Sequence, residues 1–324
     1  MINARVLAPA IVAAGTLAVA IAQAQIYPTK PIKVIVAFAA GGPADVMARL
    51  VGRRISAILG QSIIVENRPG AGGSIGARAA ANAEADGYTL MLGNTSTLVI
   101  NAAVYRNLDY DPAKAFVPVA MLGTTSNLLV VPPSSPFKSV QDIVTYAKAN
   151  PGTLSYSTPG VATPPHLIGE LLKLKAAIDI VHVPYKGGGQ STGDVAGSQV
   201  QMTFENPAVS LPLVKSGTVR ALAITSAARH PQAPEIPTMI ESGIPDFVSV
   251  SFTGIVAPAG TPAAIVLKLN GAINESLKAP DVQAALANLA VDVRPGSPDD
   301  FASFLAKERD KWGAVVKAAR IQID

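Results

Sequence analysis

An apolar run, a pair of glycines and a helix start follow one another near the beginning of this chain, and this stretch limits its possible folds most. Ile32 to Phe38 has the length and the β-branched and aromatic character of a buried strand, and Gly41-Gly42 ends it. Pro43 and Asp45 suit the first turn of a helix, and apolar residues then recur on one helical face. The stretch predicts a βα unit whose turn directs free backbone N–H groups at a bound anion. An ordinary βα connection needs the same glycines, so both interpretations stay open.

The first 24 residues have the parts of an export signal. Arg5 supplies a positive start, Val6 to Ile21 is an uncharged apolar run, and Ala22-Gln23-Ala24 fits the cleavage rule for small residues. The run is short for a membrane span and is interrupted by a glycine, which disfavours an anchor. We expect cleavage after Ala24, export to a bacterial periplasm, and a mature chain of 324 − 24 = 300 residues.

Composition excludes several functional classes. The chain has no cysteine, so it forms no disulfide after export, and its three histidines are too far apart for a local zinc motif. His182 ends an apolar strand and is expected to be a core or strand-end histidine, whereas His166 opens a helix and could face a cleft. A net charge of +4, scattered Lys and Arg and a single Trp give no nucleic-acid footprint. Neither phosphate-binding glycine string is present, and we expect no cofactor and no metal.

Strand and helix patterns alternate along the mature chain, which predicts an α/β architecture with mainly parallel sheets. Two sets of βα units are separated by short strands near Leu122 to Leu128, and the chain returns near Thr225. We predict a two-lobed, Venus-flytrap arrangement with two sheets joined by crossing strands. Lobe 1 would comprise residues 25–124 plus 225–324, and lobe 2 residues 125–224. Loops at the carboxyl ends of both strand sets would then face a common cleft, where open α/β sheets bind ligands.

One string matches an enzyme motif. Gly72 to Gly76 reads G-x-S-x-G, in which the serine must lie on a sharp turn directly between strand and helix. Here Asn67 to Ala71 separate Ser74 from the preceding strand, and no oxyanion motif lies upstream. We therefore interpret the string as a loop with a helix cap, and a hydrolase that uses Ser74 stays as an alternative.

Several longer motifs occur together in a fixed order. They are Y-P-T-K-P-I-K-V-I-V at Tyr27 to Val36, G-G-P-A-D at Gly41 to Asp45, V-E-N-R-P-G-A-G-G at Val65 to Gly73, A-D-G-Y-T-L at Ala85 to Leu90, H-V-P-Y-K-G at His182 to Gly187 and A-P-A-G-T-P at Ala257 to Pro262. In this combination the mature chain resembles the Bug family, the substrate-binding proteins of tripartite tricarboxylate transporters. The resemblance implies a periplasmic binding protein, not an enzyme, that closes on a small organic carboxylate and passes it to membrane subunits. We expect a monomer.

The resemblance also implies which loops bind the ligand: the first βα turn, the loop after the third strand, and two loops of the second lobe. All lie at carboxyl ends of predicted strands, and donor-rich loops on opposite lobes suit a ligand with a carboxylate at either end. The predicted ligand-binding residues are Phe38, Ala40, Gly41, Gly42, Ala44, Asp45, Asn94, Thr95, Ser96, Ser157, Thr158, Gly160, Ala162, Thr163, His166, Tyr185, Lys186, Gly187 and Glu205.

Three positions depart from the family pattern. Ala44 stands where Ser or Thr is usual, Ala162-Thr163 where Gly-Ser is common, and Glu205 where Asp is frequent. These changes remove a hydroxyl and alter the pocket, so the identity of the ligand does not follow from the resemblance. Phe38 and Tyr185 would allow an aromatic dicarboxylate as well as an aliphatic one. A sensor that uses the same site to signal to a membrane partner is an alternative that the residues leave open.

Overall fold

Alternating side chains along strand β1 (Ile32–Val36) show how the first sheet is buried. Val34 and Val36 pack into one hydrophobic core and Ile35 into another, so both faces of the sheet are covered. The computed structural model describes residues 27–323, and the predicted export signal lies outside them. Within the described residues, no helix is long and apolar enough to cross a membrane.

Strands and helices alternate through the described part of the chain. The strands are β1, β2 (Ile63–Asn67), β3 (Thr89–Asn94), β4 (Phe116–Thr125), β5 (Leu128–Val131), β6 (Ser155–Thr158), β7 (Val181–Pro184), β8 (Met202–Glu205), β9 (Arg220–Ile224), β10 (Ser251–Pro258) and β11 (Asp292–Val293). The α-helices are α1 (Pro43–Leu59), α2 (Ser74–Ala81), α3 (Asn101–Val104), α4 (Val140–Ala149), α5 (Pro164–Ala176), α6 (Gly188–Ala196), α7 (Pro207–Lys215), α8 (Ala263–Ser276), α9 (Pro280–Asn288) and α10 (Pro298–Ala319). A 3₁₀ turn (Ala71–Gly73) precedes α2, and a π-helical turn (Ser96–Ile100) precedes α3.

The strands form two sheets. The first has six strands in the order β11-β4-β10-β3-β1-β2, and the second has five in the order β7-β6-β8-β5-β9. In the first sheet β2 and β3 lie parallel to β1, with Val34 opposite Val65 and Leu90. In the second sheet β7 and β8 lie parallel to β6. The α/β class and the two-sheet organisation are therefore confirmed.

Each sheet is mixed, and the predicted mainly parallel arrangement is confirmed, because four of the six strands of the first sheet and four of the five of the second run in the same direction. β10 runs antiparallel to β3 and β4, and β5 runs antiparallel to β8 and β9. The crossings explain why β5 and β10 run against the strands next to them. β4 leaves the first sheet at the edge where β3 ends and leads within a few residues into β5, which enters the second sheet against the direction of β8. β10 enters the first sheet in the same way on the return path.

Three hydrogen bonds hold the point where the chain passes between the sheets. β4 ends at Thr125, β5 begins at Leu128, and the return segment starts at Thr225 after β9. The buried hydroxyl of Thr225 accepts from the backbone N–H of Asn127 at 2.9 Å and donates to the carbonyl of Ser249 at 2.7 Å. The N–H of Thr225 donates to the carbonyl of Asn127 at 2.9 Å. One side chain therefore ties the outgoing segment to the returning one.

Replacing Thr225 by Val is expected to lower the free energy of unfolding by about 1–3 kcal/mol. Valine keeps the shape of the side chain but leaves the buried N–H of Asn127 without its acceptor. Urea unfolding followed by the fluorescence of Trp312 measures the change. Thr225→Ser keeps the hydroxyl and serves as the matched control, so equal losses in the two variants would contradict this role.

The C-terminal helix connects the two sheets. α10 packs against β4 of the first sheet and against α5, which covers the second. Buried residues of both sheets form one continuous hydrophobic core that includes Trp312. The indole is 1% exposed, and its Nε1–H donates to Glu308 at 2.8 Å. Trp312 therefore packs the last helix into the core.

Two helix starts carry capping signals that can be read in the sequence, and some short elements were not predicted. Ser139 caps α4 and Ser297 caps α10, each in a reciprocal capping box with an Asp three residues later. The π-helical turn lies partly where the sequence predicted a polar loop after β3. α7 was not predicted, although Asn206-Pro207 is a cap followed by a first-turn proline.

Candidate functional site

Strand ends of the two sheets meet around a cavity of about 670 Å³, which we call the cleft cavity. The first sheet contributes the turn after β1, the ends of β3 and β4, the start of β10 and the segment between α9 and β11. The second sheet contributes the start of α7, directly after β8. A cavity of this size suits a small organic molecule. It is lined by Phe38, Ala39, Gly42, Pro43, Ala44, Met47, Asn94, Thr125, Asn206, Ala208, Val209, Thr253, Leu289 and Val291.

Hydrogen bonds to the side chain of Asp45 fix the turn between β1 and α1. The Asp45 carboxylate accepts from the N–H of Gly41 at 2.9 Å and from Nε of Arg49 at 3.0 Å. The hydrogen bond from Arg49, followed by that from Gly41, lowers the pKa of Asp45 to about 2. Arg49 also donates to Asn67, which donates to the carbonyl of Phe38. Asp45 is thus ionised and committed to shaping the turn, in line with its interpretation as a helix-start carboxylate.

The turn between β1 and α1 leaves backbone N–H groups unpaired at the start of α1. Val46 has the first backbone N–H that makes a hydrogen bond inside this helix, to the carbonyl of Gly42 at 2.9 Å. The N–H of Ala44 comes earlier and belongs to the donors that every helix start leaves unpaired. Since Gly42 and Ala44 line the cleft cavity, an anion there meets the positive end of the helix dipole.

A reciprocal pair of hydrogen bonds fixes the end of β3. The N–H of Asn94 donates to Oγ1 of Thr97, and the N–H of Thr97 donates to Oδ1 of Asn94, both at 3.1 Å. Asn94 lines the cleft cavity, whereas Thr95 is 2% exposed and its hydroxyl accepts from the N–H of Phe252 at 2.8 Å. Of the predicted residues after β3, Asn94 therefore faces the cavity and Thr95 holds β10 in place. Ser96 begins the π-helical turn.

Residues 158–163, called here the 158–163 loop, follow β6 in the second sheet. The Thr158 hydroxyl lies 2.6 Å from Nε2 of His182. The N–H of Ala162, whose φ of 57° is left-handed, donates to Nδ1 of His166 at 3.0 Å. Ser157 is buried and bonds to Ser191 of α6. The two histidines therefore hold the two ends of this loop.

His166 and His182 form a stacked pair, with ring centroids 3.8 Å apart and an interplanar angle of 12°. His166 is 6% exposed and lies beneath the loop, outside the lining of the cleft cavity, although the sequence suggested that it could face the cleft. Burial lowers the pKa of His166 to about 4, and burial followed by the neighbouring His166 lowers the pKa of His182 to about 4. Both imidazoles are therefore neutral near pH 7.

The other loops of the second sheet meet at the ends of β7 and β8. The Tyr185 hydroxyl donates to Asp194 of α6 at 2.6 Å, and this bond raises the pKa of Tyr185. The Glu205 carboxylate accepts from the hydroxyl of Thr192 at 2.7 Å and from the N–H of Asn206 at 2.8 Å. The start of α6 at Gly188 approaches Glu205 closely. Tyr185 and Glu205 therefore make contacts that fix α6 against the sheet.

The structure brings together only part of the predicted set in the cleft cavity, namely Phe38, Gly42, Ala44 and Asn94. The predicted residues of the second sheet lie at or after the carboxyl ends of β6, β7 and β8, the edge at which Asn206 follows β8, and they do not line the cavity. Ten lining residues are not among the predicted ones, because most of them come from strand ends and loops far along the chain. These are Ala39, Pro43, Met47, Thr125, Asn206, Ala208, Val209, Thr253, Leu289 and Val291.

Ser74 does not have the surroundings of a catalytic nucleophile. It begins α2 after the 3₁₀ turn, so no strand-to-helix elbow is formed. Its hydroxyl accepts from Nδ2 of Asn101 at 3.1 Å, and no hydrogen bond of residues 27–323 joins it to a histidine. In the same described residues, no group of three or more potential metal-ligating side chains occurs.

Comparison with known proteins identifies the family. Residues 47–321 match the family described as tripartite tricarboxylate transporter family receptor. The chain belongs to this receptor family. BugT of Bordetella pertussis is 37% identical over 295 residues, covering 91% of this chain and 90% of BugT. The resemblance to the Bug family is thus confirmed, and the family is one of periplasmic solute-binding proteins.

Two solved structures extend the comparison. The receptor is 36% identical to Rpa4515 of R. palustris, solved with adipate, with a TM-score of 0.77 over 91% of this chain and 99% of the other. It is 33% identical to MatC of Rhodopseudomonas palustris, solved with bound malate, with a TM-score of 0.74 over 90% of this chain and 100% of the other. These similarities confirm the two-lobed fold of a periplasmic binding protein.

Proposed function

We propose that this receptor binds a small dicarboxylate in the cleft cavity and delivers it to the membrane subunits of a tripartite tricarboxylate transporter. The observation that carries the proposal is the position of the cavity between two sheets, with the start of α1 on one side and the start of α7 on the other. The unpaired N–H groups at the start of α1 and the side-chain amide of Asn206 at the start of α7 suit a ligand that carries an anionic group at each end. The protein would act in the periplasm as a monomer, after cleavage behind Ala24.

Ligand-driven closure follows from this arrangement. Residues 25–124 plus 225–324 would move as lobe 1 and residues 125–224 as lobe 2, about the crossing held by Thr225. Only a closed form lets both lobes contact one molecule, so the ligand binds that form more tightly and shifts the population toward it. The predicted residues of the 158–163 loop, together with Tyr185, Lys186, Gly187 and Glu205, would then approach the ligand from lobe 2.

Relatives support a carboxylate ligand. The structure of Rpa4515 contains adipate and that of MatC contains malate, and both proteins align with this receptor over nine-tenths of its length. Adipate and malate are both dicarboxylates, of different length and polarity. The proposal therefore takes the class of ligand, a dicarboxylate, from these relatives, but not the particular compound.

Thermal unfolding of the mature receptor against mono-, di- and tricarboxylates tests the proposal. A dicarboxylate at about 100 times its Kd should add about 2.7 kcal/mol to the free energy of unfolding and raise the Tm by several degrees. The compound should be recovered unchanged, and Ser74→Ala should give the same shift. If no carboxylate raises the Tm, or if the compound is consumed only when Ser74 is present, the proposal is wrong. Loss of uptake of the same compound in cells that lack the receptor would test delivery.

A further inference from the structure

The walls of the cleft cavity are apolar on both sides. From the first sheet come Phe38, Met47, Leu289 and Val291, and from the second comes Val209. Val209 exposes 48% of its surface at the start of α7. Covering such an exposed apolar side chain with an apolar part of a ligand removes apolar surface from water, which favours binding. The walls therefore favour a ligand whose middle is hydrocarbon.

Hydrogen-bonding side chains are confined to the strand ends and the start of α7. Oδ1 of Asn94 is occupied by Thr97 and Oδ1 of Asn206 by the N–H of Ala208, so each side chain has its amide N–H₂ group left to donate. The hydroxyls of Thr125 and Thr253 make no hydrogen bond within residues 27–323. Thr253 lies directly opposite Asn94 in the sheet. These neutral donors come from strand ends and from Asn206, whereas Met47, Leu289 and Val291 come from α1 and from the segment between α9 and β11.

Among the residues of 27–323 that line this cavity, none is charged. The carboxylates of a ligand would therefore bind to neutral side-chain donors and to the start of α1, and the part between them would contact hydrocarbon. A hydroxyl on that part would leave water without gaining a partner, which weakens binding. Hydrophobic sites reject an added hydroxyl by factors on the order of 100, whereas sites built to bond it prefer it strongly.

We propose that the cleft cavity selects dicarboxylates with an apolar body, straight-chain or aromatic, against hydroxylated acids of the same length and charge. This inference rests on the proposed function, because it assumes that the carboxylate binds in this cavity. The residues that set the preference are Met47, Leu289 and Val291 on one wall and Val209 on the other. Met47 and Val291 are at least nine-tenths buried, so this wall is preformed.

Adipate and galactarate provide a matched pair, because galactarate is adipate with four hydroxyls on the same carbon chain. Titration calorimetry of the mature receptor with adipate, terephthalate, galactarate, malate and citrate should give at least about tenfold tighter binding of adipate or terephthalate than of galactarate. Leu289→Gln places an amide in the wall. It should lower the affinity for adipate relative to that for galactarate by at least about threefold. Leu267→Gln is the control, since Leu267 is 61% exposed on α8 and outside the cavity.

The outcomes separate this inference from the proposed function. Tighter binding of galactarate, malate or citrate than of adipate and terephthalate overturns the inference and leaves the receptor as a carboxylate-binding protein. An unchanged ratio in Leu289→Gln also overturns it, provided that the variant unfolds at a temperature close to that of the wild type. If none of the five acids gives a heat of binding, both the inference and the proposed function are wrong.

Discussion

Lowering the pH from 7 to 4 is expected to reduce the free energy of unfolding by on the order of 3 kcal/mol for each histidine of the stacked pair His166 and His182. Both have a pKa of about 4 in the folded state, below the 6.5 of a free imidazole. Between these values the unfolded chain binds more protons than the folded one, so stability rises with pH across the window and is lost as the pH falls from 6.5 to 4. Asp45, with a pKa of about 2, contributes its own loss only below this window.

The geometry of the pair explains why protonation is unfavourable. A proton on Nδ1 of His166 would displace the N–H of Ala162, and a second charge would lie on a ring 3.8 Å away. Lys173 adds a positive charge nearby, and Glu170 is the facing carboxylate, with its Oε1 4.0 Å from Nε2 of His166. That carboxylate is already engaged by the hydroxyl of Tyr156 at 2.8 Å and by Lys173 at 3.2 Å.

Urea unfolding at steps of half a pH unit between pH 7 and pH 4 measures the loss of unfolding free energy. NMR titration of the imidazoles shows whether His166 and His182 are the groups that cause it. His182→Gln keeps a side chain that can bond to Thr158 but removes one titrating ring of the pair. Its stability should change less steeply with pH than that of the wild type. The same slope in the variant, or imidazoles that titrate near pH 6.5 in the folded protein, would contradict the prediction.

Replacing Ala44 by Asp is expected to weaken carboxylate binding by at least about 100-fold, because it places a like charge where the ligand's anion would bind. Ala44 lines the cleft cavity in the first turn of α1. An acidic residue in a first helical turn favours the helix by about 0.3–1 kcal/mol, so the Tm of the free protein should not fall. Loss of binding without loss of stability is the result that distinguishes this site from a structural one.

Val46→Asp is the matched control for Ala44→Asp. Val46 lies in the same helix, is 45% exposed and does not line the cavity, so the same charge is added in solvent. Calorimetry with the carboxylate that most stabilises the wild type should show a loss of no more than about threefold, because exposed charges are screened by salt. Comparable losses in the two variants would mean that binding responds to overall charge and not to the start of α1.

Local features of the sequence predicted much of the framework. The strand, double glycine and proline between Ile32 and Pro43 formed β1, its turn and α1, and Ser139 and Ser297 formed the capping boxes. These signals depend on residues only a few positions apart, and the backbone conformations they require are local. The crossing between the sheets was also predicted. It is a local feature, because only two residues separate the end of β4 from the start of β5.

The make-up of the cleft cavity depends on contacts that no local pattern contains. Leu289 and Val291 reach it from the far end of the chain, and Thr253 reaches it because β10 inserts between β3 and β4. The stacking of His166 on His182 requires the parallel pairing of β6 with β7, which sets Tyr156 opposite His182. Asn206-Pro207 is different, since its helix-start signal was present in the sequence and was overlooked.

The two sheets take their strands from the chain in different ways. All five strands of the second sheet lie between Leu128 and Ile224, whereas the first sheet needs β10 and β11, which come after them. Because β10 is an inner strand, β3 and β4 keep unpaired edges until residues 251–258 have been made. Unpaired apolar edges are where chains aggregate, so the second sheet can complete itself early while the first stays exposed. The arrival of β10, rather than of any residue in the first half of the chain, is therefore the step that pairs these edges of β3 and β4 and lowers the risk of aggregation.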